Sequence, residues 1–297
     1  MPKRITRKKP RVTIIGPGRL GTALAIALSK EGYQLDALIG RRASKLKKSA
    51  AFLDVPVQSL VTKDVHRLGT TDLVIVATPD DQIQNAVNLL AGKVRAGTTV
   101  LHTSGALSSK VLSPLSAQGC HVGSIHPLLS VSDPVAGAET FKGTYWCVEG
   151  DRRAVGTSKK LVNDLAGYSF TIRSPAKPLY HAAAVMASGN VVALIDVAID
   201  MLTHCGLHRT EARRVVLPLL TSTVANLKTN VPAKAMTGTF ARGDLETVEQ
   251  HLRALSDAGL DDTRALYQLL GQKALKLSEA NGLDRDLARR ISTKLEE

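Results

Sequence analysis

The sequence predicts an α/β protein: a doubly wound, mostly parallel sheet, followed by an all-helical C-terminal half. Three observations carry this. Val12-Thr-Ile-Ile-Gly-Pro-Gly-Arg-Leu-Gly-Thr-Ala-Leu24 reads as an apolar strand that turns through G-x-G-x-x-G into an apolar helix. Short apolar strands then alternate with helices as far as about residue 172, the pattern of a parallel sheet covered on both faces. From Pro175 onward the apolar spacing is helical and no strand is evident.

In chain order, the opening strand leads to a helix over Thr22 to Lys30 that Gly32 ends, then a second strand over Gln34 to Ile39. Gly40-Arg-Arg-Ala-Ser44 opens a basic helix that runs through Ala51, and Val55 to Gln58 offers a short third strand. Asp72 to Ala77 is a buried strand, after which Thr78-Pro-Asp-Asp81 starts a helix. Pro79 suits the first helical position, and Asp80 and Asp81 suit the positive end of the helix dipole. Further strands are expected at Thr98 to His102, Cys120 to Ile125, Tyr145 to Val148 and Ser169 to Ile172, with a helix over Arg152 to Ala166. Helices follow at 176–205, 209–228, 244–258, 261–279 and 284–295. Ser174-Pro175 marks the break, which gives two domains, 1–173 and 174–297.

The opening glycines have separate jobs. Gly16 permits the tight turn, Gly18 lets the backbone approach a pyrophosphate, and Gly21 lets helix and strand pack closely. A pyrophosphate would sit on the free N–H groups at the helix start, beside Pro17, Arg19 and Leu20 and against Ala77, Thr78 and Pro79 at the end of a neighbouring strand. This is the dinucleotide site of a Rossmann domain. At the end of the second strand an acidic residue would select NAD; here stand Arg41 and Arg42, with Ser44 nearby. Guanidinium groups match a 2′-phosphate, so the expected cofactor is NADP, with either arginine able to supply the contact.

Composition narrows the rest. The chain has 297 residues and a net charge of +13. Six of those charges, on Lys3, Arg4, Arg7, Lys8, Lys9 and Arg11, fall in a basic tail, leaving +7 on the body. Residues 1–10 are read as a disordered, solvated tail rather than a nucleic-acid arm. Aromatics make up 3%, too few for a base-stacking surface. Cys120, Cys147 and Cys205 form no C-x-x-C pair, which fits a reducing cytoplasm rather than a disulfide or zinc framework. The most apolar run, Ala182 to Leu202, carries Asn190, Asp196 and Asp200, so it is read as a buried helix of a soluble protein rather than a membrane span.

Ligands in such sheets bind beyond the carboxyl ends of the strands. Ala77-Thr-Pro-Asp80, His102-Thr-Ser-Gly105 and Ser124-Ile-His-Pro-Leu128 all sit there. An imidazole beside a nicotinamide can move the proton that accompanies hydride transfer, which makes His126 a candidate, though a histidine bonded to backbone before Pro127 fits as well. Ser104 would hold a substrate carboxylate or the carboxamide of the cofactor, or would cap a helix ahead of Leu107. In Tyr180-His-Ala-Ala-Ala-Val-Met-Ala-Ser-Gly-Asn190, His181 and Ser188 share a helix face while Asn190 lies opposite. One continuous helix therefore offers His181 or Asn190 to a substrate, but not both, unless Gly189 disturbs it. In Met236-Thr-Gly-Thr-Phe-Ala-Arg-Gly-Asp-Leu245, Asp244 is placed to cap the next helix and Arg242 to reach an anionic substrate.

These motifs occur together: G-x-G-x-x-G, Ile39-Gly-Arg-Arg42, Ser124-Ile-His-Pro-Leu128, Tyr180-His-Ala-Ala-Ala-Val and Thr237-Gly-Thr-Phe-Ala-Arg-Gly-Asp244. Over residues 11 to 270 the combination resembles Rossmann-like NADP oxidoreductases of the deazaflavin-dependent type that carry a C-terminal helical domain of unknown function. The architecture is also similar to pyrroline-5-carboxylate reductase, ketopantoate reductase, β-hydroxyacid dehydrogenases and prephenate dehydrogenase. The prephenate dehydrogenase likeness implies a catalytic role for His126. The hydroxyacid and ketopantoate enzymes carry a helix lysine four residues before an asparagine; Asn190 matches the asparagine, but Met186 stands at the lysine position. A lysine-based mechanism therefore does not carry over. The resemblance implies an NADP(H)-dependent oxidoreductase moving hydride to or from a small carboxylate-bearing carbonyl or imine compound. His126 or His181 would handle the proton, Asn190 would act beside them, and Ser104, Ser188 and Arg242 would hold the substrate. A homodimer in the cytoplasm is expected, with no membrane and no nucleic acid. Met186 equally suits a catalytically idle NADP-binding sensor or assembly protein.

Overall fold

The computed structural model describes residues 9–297. Lys3, Arg4, Arg7 and Lys8 of the basic tail lie outside the described residues. Lys9, expected in a disordered tail, is instead anchored: its ammonium pairs with Asp164 at 3.5 Å, lies 4.7 Å over the Tyr33 ring and donates to the Glu31 carbonyl. Arg11 is likewise placed, between Asp36 and Asp72.

By its internal packing the chain divides into two compact units, Met1–Ser188 and Gly189–Glu297. The first holds β1 (Val12–Ile15), α1 (Arg19–Lys30), β2 (Leu35–Gly40), α2 (Ala43–Ala50), β3 (Gln58–Val61), β4 (Leu73–Val76), α3 (Ile83–Leu90), β5 (Thr99–His102), α4 (Ser113–Ser116), β6 (His121–Pro127), α5 (Pro134–Glu139), β7 (Tyr145–Gly150), α6 (Arg152–Asp164), β8 (Tyr168–Thr171) and α7 (Lys177–Met186). Its eight strands lie in the order β3-β2-β1-β4-β5-β6-β7-β8. All neighbours run parallel except β6 and β7, which pair antiparallel. The chain order reverses at β1, where β1 pairs with both β2 and β4.

The central strands β1, β4 and β5 form because they are buried on both faces: Val12, Ile14, Leu73, Ile75 and Leu101 pack one side, while Ile15, Val74, Val76 and Val100 pack the other. Strand β3 begins three residues later than the sequence suggests, at Gln58, after Pro56. Proline offers no N–H to a ladder, and the pairing with β2 starts at Ala37 opposite Gln58. Asp151 fastens β6 to α6: its carboxylate accepts from Arg153 N and Ala154 N at the helix start and from Val122 N on the strand.

The second unit is helical throughout: α8 (Gly189–His204), α9 (Arg209–Thr229), α10 (Pro232–Ala235), α11 (Thr239–Arg242), α12 (Leu245–Asp257), α13 (Asp261–Ala280) and α14 (Arg285–Glu296). One core joins Val248 and Leu252 to Leu275, Ile291 and Leu295. A smaller one joins Ile199 to Ala212 and Val216 between α8 and α9. As expected, Asp244 caps α12, accepting from Thr247 N at 3.2 Å.

Two expectations about the 176–205 helix need correction. The helix is interrupted: α7 closes with Ala187 N bonded to Ala183 O, and α8 starts at Gly189. The argument that one continuous helix separates His181 from Asn190 therefore loses its premise. Nor is the run buried. It is long and apolar enough to cross a membrane by length and composition, yet Ile199 is the one residue of α8 that is fully buried. Val192 is 71% exposed. The reason is the layer count: α8 packs on α9 alone within its small core, and a helix pair buries only the stripe between its members. The unit boundary at Ser188 also differs from the predicted break at 173, because Lys177 on α7 is wholly buried among residues of the sheet.

Candidate active site

Two hollows open at the carboxyl ends of the parallel strands. The first, of about 500 Å³, is floored by the glycine turn. Gly16 has a φ of +81°, and a Cβ there would lie 2.7 Å from the Thr78 methyl. A Cβ on Gly21 would lie 2.5 Å from the Gly16 carbonyl, so α1 packs against the turn only because that side chain is absent. Above Gly18 a Cβ would meet nothing within 4 Å, which leaves open space over the backbone at the helix start. Ser49 ties the turn to α2, donating to the Pro17 carbonyl at 3.1 Å and accepting from the Thr22 hydroxyl at 2.9 Å.

Pro17, Ala77, Thr78 and Pro79 line this hollow, together with Arg41 and Arg42. Ser44 does not line it; Lys45, one residue on along α2, does. Among the described residues no acidic side chain lines the hollow. Three cations and an open helix N-terminus suit a dinucleotide that carries an extra phosphate.

The second hollow, of about 460 Å³, adjoins the first, since Arg19 and Asp80 line it while their chain neighbours Gly18 and Pro79 line the other. Arg19 and Leu20 thus face this second space. Ser104, Gly105, His126 and His181 complete its polar wall. Gly105 sits between the two imidazoles: a Cβ on it would lie 2.4 Å from His181 Nδ1 and 2.8 Å from His126 Nε2. The rings stand nearly perpendicular, 5.7 Å apart.

Behind that wall runs a buried polar row built by strand alternation. His102 on β5 pairs with Ser124 on β6, which pairs with Glu149 on β7; one step along, His126 pairs with Cys147. Successive side chains alternate between faces, so all five share one face. Helix α7 covers it with Lys177 and Tyr180. The Lys177 ammonium donates to the Ser104 carbonyl at 2.8 Å and to the Ser124 hydroxyl at 3.0 Å. Glu149 accepts from Ser109 N at 2.9 Å, from the Ser109 hydroxyl at 2.8 Å, from the Ser124 hydroxyl at 3.4 Å and from the Ser174 hydroxyl. The Tyr180 hydroxyl lies 2.6 Å from His126 Nδ1 and neighbours the Cys147 thiol.

With that geometry in place, comparison with known proteins decides the family question. Residues 2–127 match the family model described as a Rossmann-like domain, and residues 144–274 match a domain of unknown function, DUF2520. The chain joins a Rossmann-like domain to DUF2520. The DUF2520 match begins at β7, so the family unit takes in the last two strands of the sheet. No curated protein matches the sequence.

Solved structures share the fold. TM1727 from Thermotoga maritima is 24% identical, with a TM-score of 0.73 over 91% of this chain and 99% of its own. BF3122 from Bacteroides fragilis, provisionally named an NADP oxidoreductase, is 22% identical, with a TM-score of 0.73 over 91% and 99%. A pyrroline carboxylate reductase from Plasmodium falciparum with NADP bound is 15% identical, with a TM-score of 0.56 over 96% and 98%. These likenesses show a shared fold, a Rossmann-like sheet domain followed by a helical one.

Electrostatics set the protonation of the wall. Burial, then the Lys177 charge and the neighbouring His181 and His102, hold the His126 imidazole down at about 4. Burial and Lys177 do the same to His102, also to about 4. Both rings are neutral at pH 7. Burial pushes the Tyr180 phenol up, and the Cys147 thiol adds to that. For Glu149 burial works upward, but the hydrogen bonds from Ser174 and Ser109 and the Lys177 charge outweigh it and leave the carboxyl below its usual value. Burial lowers Lys177, against the pull of Cys147, Glu149 and Asp80.

Of the predicted chemical residues, Ser104, His126 and His181 come together at the second hollow. The Ser104 hydroxyl accepts from Ala106 N at 3.2 Å and Leu107 N at 2.9 Å, but it closes a turn rather than capping a helix, since the next helical turn begins only at Ser109. Ser188 is exposed, and its hydroxyl donates to the Ala184 carbonyl at 2.7 Å. Asn190 and Arg242 belong to the second unit, where Arg242 is exposed and 3.8 Å from Asp244. Sequence reasoning missed Lys177, Glu149, Cys147 and the contact of Tyr180 with His126. For the strand residues a signal existed: Cys147 and Glu149 occupy alternate positions of a strand that pairs directly with the one carrying His126.

Proposed function

We propose that this chain is an NADP(H)-dependent oxidoreductase acting on a small carboxylate-bearing carbonyl or imine compound or its reduced form. The observation that carries the reading is the neutral His126 imidazole, with Nε2 beside Gly105 at a hollow that adjoins the glycine turn.

Gly16, Gly18 and the start of α1 would hold the pyrophosphate, and Arg41, Arg42 and Lys45 the 2′-phosphate. When bound, the nicotinamide supplies or takes the hydride. The chain's own residues manage the proton. Tyr180 has one hydroxyl hydrogen, and the Cys147 sulfur lies beside it. With that hydrogen turned to Cys147, His126 Nδ1–H donates to the phenol oxygen and the Nε2 lone pair faces the hollow. Nε2 then accepts the proton of a substrate hydroxyl or amine as hydride leaves its carbon, and returns that proton in the reverse reaction. His181 completes the wall, its Nδ1 buried and without a hydrogen-bond partner among the described residues, and is the second group offered to the same substrate. Arg19 offers a charge for the substrate carboxylate.

Asp196 and Asp200 of α8, ion-paired with Arg209 of α9, support a water-soluble protein, and free Cys120, Cys147 and Cys205 support a cytoplasmic one. The exposed apolar side chains of these helices, Val192, Val215 and Leu219 among them, support a homodimer. The test is purified protein with NADPH or NADP, a panel of 2-oxo acids and cyclic imines, and their reduced counterparts. Turnover abolished by His126→Asn is expected; tight NADPH binding with no turnover of any compound would favour the idle sensor.

A further inference from the structure

We propose that Lys177, which has no surface in the substrate hollow, is a positioning residue for the base at His126. Through the Ser104 carbonyl, the Ser124 hydroxyl and the Tyr180 ring it fixes both the turn and the imidazole that a substrate meets. The proposal rests on His126 being the group that takes the substrate proton.

The argument starts from cost. An ammonium with no exposed surface has to be compensated by acceptors and by opposite charge. Lys177 has both. Two of its hydrogens go to Ser104 O and Ser124 Oγ, and the charge lies 5.7 Å from the centre of the Tyr180 ring. The Ser124 hydroxyl passes its own hydrogen to Glu149, so lysine, serine and carboxylate form a directed chain from α7 through β6 to β7. Glu149 is in turn satisfied by Ser109 and Ser174, a donor set that suits an ionised carboxylate.

Each lysine contact ends one step from His126. Ser104 precedes Gly105, whose bare Cα lies between the two imidazoles. Tyr180 holds His126 Nδ1. Ser124 is two residues before His126 on the same strand face. The groups facing the imidazole from the surrounding elements are His102 on β5, Cys147 and Glu149 on β7, and Lys177, Tyr180 and His181 on α7; Asp80 adds its charge to His102 and Lys177. Among them Lys177 is the cation that acts on both His102 and His126, and a second positive charge beside it is disfavoured. The lysine thus keeps the Nε2 lone pair free while its hydrogen bonds keep it aimed.

Nuclear magnetic resonance titration of the full-length protein, free of cofactor, tests this without needing a substrate. His126 ring signals are assigned with His126→Asn, and folding of each variant is checked by circular dichroism. In Lys177→Met, which keeps the stem and removes the charge, the His126 midpoint is expected to rise by about one unit or more, a tenfold gain in proton affinity. NADPH affinity should be unchanged, and kcat, if a substrate is found, should fall more than KM rises. A folded Lys177→Met with an unmoved His126 midpoint overturns the proposal. The wild-type protein gives an independent reading if the variant does not fold. With lysine labelled at Cε, the His126 ring signals should show a second step at the pH where Lys177 loses its proton. Ring signals blind to that step overturn the proposal equally. Because these readouts report the Lys177–His126 link alone, they can fail while turnover is found, and a failure to find a substrate counts against the oxidoreductase reading without moving them.

Discussion

The hydroxyl of Tyr180 lies 2.6 Å from Nδ1 of His126, and their rings meet edge to face at 88°. This contact engages Nδ1 and leaves Nε2 as the imidazole nitrogen beside Gly105. Tyr180→Phe leaves a buried ring nitrogen unpaired, at a cost of about 1–3 kcal/mol, and frees the ring to change tautomer. We expect Tyr180→Phe to lower kcat about tenfold and His126→Asn by about a hundredfold or more, the usual share of a general base, with NADPH affinity kept in both. Steady-state kinetics beside cofactor titration makes the check; unchanged kcat in His126→Asn removes the histidine from the mechanism.

Acid sensitivity follows from the buried His102 imidazole and the half-buried His126 imidazole. His102 and His126 hold folded values near 4, below the ordinary value of 6.5. Between those limits the unfolded chain binds protons that the folded chain refuses. Their contribution to stability is therefore complete above pH 6.5 and is lost as pH falls toward 4, at about 1.4 kcal/mol per pH unit for each ring. Denaturant midpoints measured from pH 7 to 4 should fall, and the slope should lessen in His126→Asn. For oxidation of substrate, kcat/KM should decline with a midpoint near 4 as the base becomes protonated.

Gly105→Ala is expected to abolish turnover while leaving the fold in place. The new methyl would lie 2.4 Å from His181 Nδ1 and 2.8 Å from His126 Nε2, so at least one ring has to leave the wall. Overpacking of this kind costs about 1–3 kcal/mol, and the thermal midpoint should drop by a few degrees. A fully active Gly105→Ala would show that the two rings are not used together.

How much of this was legible differs from residue to residue. Gly16, Gly18 and Gly21 were readable because each glycine answers one steric demand, and Cβ atoms built at Gly16 and Gly21 meet those demands as clashes. The strands were readable because burial on both faces makes them continuously apolar. Lys177 was not, since it lies between Pro175 and Pro178 at a helix start, where a lysine is ordinarily solvated. Its burial depends on Ser104, Ser124 and Glu149, which arrive from three distant stretches of chain. The break after Met186 was half legible: Ser188-Gly189 marked a weak point, but the apolar spacing on either side reads as unbroken helix.

Cofactor choice rests on charge at the end of β2. Arg41→Ala and Arg42→Ala should each weaken NADPH binding, and the double variant should weaken it about tenfold to a hundredfold, the worth of one or two charge-assisted bonds to a phosphate. NADH binding should change little. Fluorescence titration with both cofactors makes the comparison, and an equal loss for the two would place the arginines away from the 2′-phosphate.

The antiparallel seam between β6 and β7 also bears on how this sequence can drift. Side chains on the two strands change face at every residue, so inserting or deleting a single residue inside either strand would put Ile125 or Pro127 where His126 stands, or Val148 where Glu149 stands. The same event in residues 128–144, the connection that carries α5, would leave every pairing along the seam untouched. Length variation among descendants of this gene should therefore collect in that connection, while the two strands, free to exchange apolar residues, stay fixed in their count.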